Sequence, residues 1–156
     1  MLYQSRKNKM AFRRVKGKTK FVWFPVTTST ALTAGDLVAL NVGSNLLIEA
    51  TATTNNSIIV GVLRHTIAAT DADYAVARNV EVEVPVEKNV VWTCNEVGTG
   101  TAAAADVGTY ADITGGGEIN VDASTYDVFF ITEYNSQTDV KGIFNIGPEC
   151  LGTIAD

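Results

Sequence analysis

Four groups of residues have types and spacings that chemistry could use. Glu81, Glu83 and Glu87 in "VEVEVPVEK" set carboxylates two residues apart. On one strand face such groups are close enough to shift each other's pKa, as an acid–base pair requires. The same alternation is what a half-exposed strand shows, so the glutamates are read as a solvated face. Asp71 and Asp73 in "TDADY" sit as neighbouring calcium ligands would. The central Gly and the terminal Glu of a calcium loop are absent, and no metal site is assigned. His65 is the chain's single histidine, with Ser44, Ser57, Ser124 and Asp71 elsewhere, but no G-x-S-x-G elbow accompanies it. "TGGGE" lacks the Lys-Ser/Thr pair of a phosphate loop and lies between strand-like segments, so it is a turn. No catalytic residue, cofactor or small-molecule substrate is assigned, and the chain is not read as an enzyme.

A further group is electrostatic. The first twenty residues, "MLYQSRKNKMAFRRVKGKTK", hold eight basic and no acidic residues, a formal +8. The other 136 hold four basic residues (Arg64, Arg78, Lys88 and Lys141) and all 17 acidic ones, a formal −13, so the chain totals −5. Such an arm can engage nucleic acid, an anionic membrane or an acidic protein surface. Its aromatics, Tyr3 and Phe12, are too few for a single-strand stacking platform. It also lacks the apolar helix face of a membrane anchor. An apolar stretch, "FVWFPV", follows the charges directly, as expected of a docking strand steered into place by them. The candidate electrostatic contacts are Arg6, Lys7, Lys9, Arg13, Arg14, Lys16, Lys18 and Lys20. The candidate apolar anchors are Phe12, Phe21, Trp23 and Phe24.

The elements that must position these groups read as strands. Frequent Thr, Val and Gly favour pleated structure. "LVALNV" and "LLIEAT" around "GSN" read as a hairpin. Gly61 within "IIVGVLRHTI" suggests a bulge or a close backbone approach. In "NVEVEVPVEK", Val80, Val82, Val84 and Val86 alternate with polar residues, so the valines are expected to face a core and the glutamates water. Pro25 and Pro85 argue for strand ends or edges. Ala102–Ala105 allow one or two helical turns between close glycines, and "TDADY" allows one more. "TYADIT" and "EINV" flank the triple glycine, and "TYDVFFITEY" and "VKGIFNI" flank "NSQTD" as the closing pair. Eight to ten short strands predict an all-β fold, a small barrel-like body. The expected division is an extended basic arm with its apolar anchor over residues 1–24 and a body over 25–156. Cys94 and Cys150 match no zinc or redox spacing; they could pair, but two partly buried thiols are preferred. No apolar run approaches the roughly 20 residues that span a bilayer. No secretory signal follows the basic start, so synthesis in a cytoplasm is expected.

The order of "TALTAGDLVAL", "IIVGVLRHTI", "VEVEVPVEKNV", "GTYADITGGGEINVDAS" and "VFFITEYNSQTDVKGIFN" resembles that of the head decoration proteins of tailed bacteriophages, also called cement or auxiliary capsid proteins. The resemblance spans about residues 30–145. It implies a β-tulip-like domain that sits as a trimer on the capsid exterior and reaches onto the major capsid protein with an N-terminal segment. The docking arm would then be Arg6–Lys20 with "KFVWFPV", set on an acidic shell while the acidic body faces solvent. Binding nucleic acid through the arm, or serving as a tail, neck or head-fibre part, are the rival readings.

Overall fold

A computed structural model describes residues 11–54, 58–95 and 97–145; Arg6, Lys7, Lys9 and Cys150 lie outside them. The fold is all-β, with two layers. One is a closed five-stranded barrel in the order β2-β4-β3-β5-β6. Its strands are β2 (Thr19–Val26), β3 (Leu37–Leu40), β4 (Leu47–Glu49), β5 (Ile59–Leu63) and β6 (Arg78–Pro85). The other is a seven-stranded sheet in the order β1-β7-β12-β11-β9-β10-β8. It is built from β1 (Phe12–Lys16), β7 (Val91–Cys94), β8 (Val97–Thr99), β9 (Tyr110–Gly115), β10 (Glu118–Asn120), β11 (Phe129–Ser136) and β12 (Asp139–Phe144). Among the described residues no α-helix occurs; the alanine run makes one 3-10 turn, Ala104–Asp106, and "TDADY" makes turns only.

The expected hairpins are present. β3 and β4 pair antiparallel around residues 41–46, β9 and β10 around the glycines, and β11 and β12 around Gln137-Thr138. Local turn chemistry sets these pairings, so they are legible in the chain.

Two cores result. Inside the barrel lie Val26, Leu32, Val38, Leu47, Val60, Leu63, Val80, Val82 and Val84. Between barrel and sheet lie Leu37, Ala39, Ile59 and Val62 from β3 and β5, packed with Phe12, Trp92, Phe129, Ile131 and Phe144 from the sheet. β3 and β5 are therefore covered on both faces, which is why "LVAL" and "IVGVL" are nearly continuous apolar runs. Gly61 lies where β5 meets β6, and a Cβ there would run into the Glu83 carbonyl oxygen. Only a residue without a side chain permits that approach.

The first strands depart from the expected arm. Residues 12–16 form β1, paired antiparallel with β7, and residues 19–26 form β2, paired with β6 from Thr19↔Pro85 to Val26↔Arg78. Within the described residues the stretch assigned to an arm over 1–24 is therefore woven into both layers, and the body begins well before residue 25. Gly17 makes the crossing: its φ is +100°, and a Cβ would come within 2.7 Å of the Val90 Cα. The reason is pairing. β7 and β6 offer backbone partners that lie some 70 residues away in sequence, and the arm's own composition carries no trace of them.

Two further expectations on β6 are corrected. Val86 lies beyond the strand and is exposed, and Glu83 is buried rather than facing water. Its carboxylate is held by cations from other strands, described below. Pro85 ends β6, and Pro25 sits one residue before β2 ends, as their missing N–H groups demand.

Candidate docking wall

β2 alternates. Val22 and Phe24 pack onto the barrel core and Val26 is buried in it, while Phe21, Trp23 and Pro25 point outward. The sheet covers the barrel on its β3 and β5 side, so the β2 wall is left bare. Phe21 is 51% exposed and Trp23 61%, two residues apart on one strand face. That spacing is about 6.7 Å, close enough for one partner surface to cover both rings.

Their cross-strand neighbours on β6 are Glu83 opposite Phe21 and Glu81 opposite Trp23. Glu83 is the hub of the wall. Its Oε1 accepts from the Arg14 Nε at 2.7 Å and from the Thr19 hydroxyl at 2.9 Å, and its Oε2 lies 3.5 Å from the Arg64 Nη1. One carboxylate thus joins β1, β2, β6 and the residue that follows β5. Two arginines meet on this one acid, and Glu81 on the same strand face balances the second charge. The Arg64 guanidinium also lies 5.1 Å from the Phe21 ring centre, a cation–π contact that holds both groups in place. Beside Trp23's partner Glu81 sits His65, with Nε2 to Oε2 at 3.5 Å. The arrangement is a pair of aromatic rings bordered by ordered charges.

The structure sorts the candidate residues. Phe21 and Trp23 come together on the wall. Phe24 is half-buried and turns inward, and Phe12 is fully buried, 5.0 Å from the Phe144 ring and 5.8 Å from that of Phe129. Phe12 is a core residue, so its expected place among the surface anchors is corrected: inside the chain its ring is already covered. Among the cations, Arg14 joins the wall through Glu83, while Arg13, Lys16 and Lys18 are exposed and Lys20 is half-buried. The Lys18 backbone N–H donates to Glu87 at 2.8 Å, which ties the β1–β2 turn to the residues after β6. Arg64, Glu83 and the His65–Glu81 pair were not expected at the site. The alternation of β6 carried no signal for them, since Glu81 and Glu83 have the same period-two spacing there.

The remaining chemistry-bearing residues have structural partners. Asp71 accepts from the Ala68 N–H, and Arg78 reaches Asp73 at 2.7 Å and Asp71 at 3.6 Å, which fastens the turns before β6. Asp112, buried in β9, accepts from three successive backbone N–H groups, those of Thr125, Tyr126 and Asp127. Glu49 accepts from the Gly116 N–H, seating the triple-glycine turn on the barrel. Among the described residues no grouping of three or more His, Cys, Asp or Glu is placed to hold a metal ion.

No protein-family model matches this chain, and no curated protein matches it. Among solved structures, the chain is similar to the N base of the head fibre gp8.5 of bacteriophage phi29. The TM-score is 0.43 and the identity 15%, with 81% of this chain and 95% of that one covered. A likeness at that score carries no argument about what this chain does.

Proposed function

We propose that this chain is a structural protein of a tailed-phage virion, which docks without catalysis on the outside of the assembled capsid and braces it. The observation that carries the reading is the bare β2 wall. Phe21 and Trp23 stand side by side, more than half exposed, and the Arg14 and Arg64 guanidiniums are anchored beside them by Glu83. Trp and Arg dominate the energetics of protein interfaces, especially where they are held rigid before binding. The wall is fed by the chain's cationic first twenty residues, which suit an acidic shell and would speed and orient encounter. The ordered strand motifs shared with head decoration proteins point the same way. The partner would be the major capsid protein, and many copies on one lattice would add avidity.

Co-sedimentation of the full chain with undecorated capsids of its phage tests this. Wild type should pellet, and Phe21→Ala/Trp23→Ala should bind at least about tenfold more weakly with its thermal midpoint unchanged. Equal pelleting of the two would remove the wall from the docking reading, and no pelleting of either would end it. Saturation at many copies per capsid marks a decoration protein, whereas a few copies mark a fibre or neck part. Retention on DNA at physiological salt would favour the nucleic-acid reading instead.

A further inference from the structure

A single parallel bridge, Val26↔Leu47, closes the barrel between β2 and β4. Continued toward the start of β2, that register would set Trp23 and Phe21 opposite Ser44 and Val42, inside the β3–β4 turn. The turn bonds to itself: the Asn41 N–H donates to the Leu46 carbonyl at 2.9 Å and the Asn45 N–H to that of Asn41 at 3.0 Å. Val42 in this turn is 80% exposed. From Thr19 to Trp23, β2 therefore has a strand on its β6 side and, among the described residues, none on the other. The β2–β6 ladder fixes which backbone groups face the open side. The Val86 N–H donates to the Lys18 carbonyl at 3.2 Å, so these two residues are a hydrogen-bonded pair. Every second pair of an antiparallel ladder is bonded, which gives Lys20, Val22, Phe24 and Val26 to β6. The pairs between them, Thr19↔Pro85, Phe21↔Glu83, Trp23↔Glu81 and Pro25↔Asn79, turn their N–H and C=O groups away from each other. Pro25 and Pro85 both sit where this ladder needs no N–H, and the Glu81 carbonyl accepts from the Arg64 N–H on the far side of β6, as this phase requires. Thr19, Phe21 and Trp23 each direct one N–H and one C=O into the open side, and none of these groups has a backbone partner among the described residues.

We infer that the partner arrives as a strand: an extended acidic segment of the major capsid protein pairs, main chain to main chain, with the open edge of β2 along Thr19–Trp23. The inference rests on the capsid-docking reading and gives that docking its geometry. An unpaired edge is a template for a further strand, and main-chain bonds supply affinity while flanking side chains supply specificity. Here the flanking side chains are the exposed Phe21 and Trp23 rings, so wall and edge belong to the same residues. A partner strand in this place would set its own outward side chains beside those rings, as cross-strand neighbours stand in any sheet. Charge selects an acidic segment. Arg14 and Arg64 are balanced by Glu83 and Glu81, but Lys16, Lys18 and Lys20, at the start of the edge, enter no ion pair among the described residues. The same charge keeps the chain's own beginning off the edge, since its first ten residues hold Arg6, Lys7 and Lys9 and no acid.

Amide hydrogen exchange of the full chain, resolved by residue, tests the edge first. In the free protein the Phe21 and Trp23 amides should exchange at least about 100-fold faster than those of Val22 and Phe24, which serve β6. On undecorated capsids of the phage, with exchange quenched and read by mass spectrometry, the Phe21 and Trp23 amides should slow to the level of their neighbours. Thr19→Pro against Thr19→Ala is the second probe. Both lose the hydroxyl bond to Glu83, but only the proline removes the N–H that faces the open edge. Its thermal midpoint should stay near that of the alanine variant, and it should pellet with capsids at least about fivefold more weakly. Phe21 and Trp23 amides already protected in the free chain overturn the inference. So do amides that stay fast on capsids, or proline and alanine variants that pellet alike. In those three cases pelleting of wild type still upholds docking through the rings, whereas a wild type that does not pellet removes the docking reading itself.

Discussion

Glu83→Ala is the most informative single change, because one side chain ties both layers together beside the docking wall. The glutamate side chain is 7% exposed and makes two short bonds, to Arg14 at 2.7 Å and to Thr19 at 2.9 Å; the 3.5 Å approach of Arg64 adds little. A charge-assisted bond contributes about 1.5–3 kcal/mol and a hydroxyl bond about 1. Breaking a fully buried pair costs about 3–5 kcal/mol, since the abandoned charge has nowhere to go. Here Arg14 and Arg64 are 41% and 36% exposed, so water takes over their donors and the lower part of the range applies. The expected loss is about 2–3 kcal/mol, or about 5–10 °C in thermal midpoint for a domain of this size. Glu83→Gln keeps the acceptor for Arg14 and Thr19 but loses the charge, and should cost about half as much. Urea unfolding read by circular dichroism measures both, with an unchanged slope expected. A loss below about 1 kcal/mol for the alanine variant, or a glutamine variant as damaged as it, would refute the hub.

Two other changes test the scaffold. Asp112→Ala strips the acceptor from three consecutive backbone N–H groups in a partly solvated loop, and should cost about 3 kcal/mol in the same urea assay. Gly61→Ala pushes a methyl group into the Glu83 carbonyl across β5 and β6, and should cost about 3 kcal/mol or more, seen as a lowered thermal midpoint.

Much of the architecture is local and could be read directly. Period-two alternation at Val80, Val82 and Val84, the turn residues between β3 and β4, and the glycines between β9 and β10 each specify their own neighbourhood. Phe21 and Trp23 stood out as part of the apolar stretch that directly follows the charges, together with Phe24. Glu83 did not, because alternation says only that a strand has two faces and not what covers each. A glutamate bound for water and one bound for two arginines have the same spacing.

The sequence by itself determined an all-β chain, its local hairpins and its division into a cationic start and an acidic remainder. Those follow from side-chain period, turn chemistry and charge, all counted along the chain. Only the tertiary structure decided that residues 12–26 are strands of both layers, that Phe12 is core, that Glu83 is buried, and that the β2 wall is left bare. Each of these depends on which distant strand supplies the hydrogen bonds and the covering surface. Pairing across some 70 residues leaves no periodic mark on either partner.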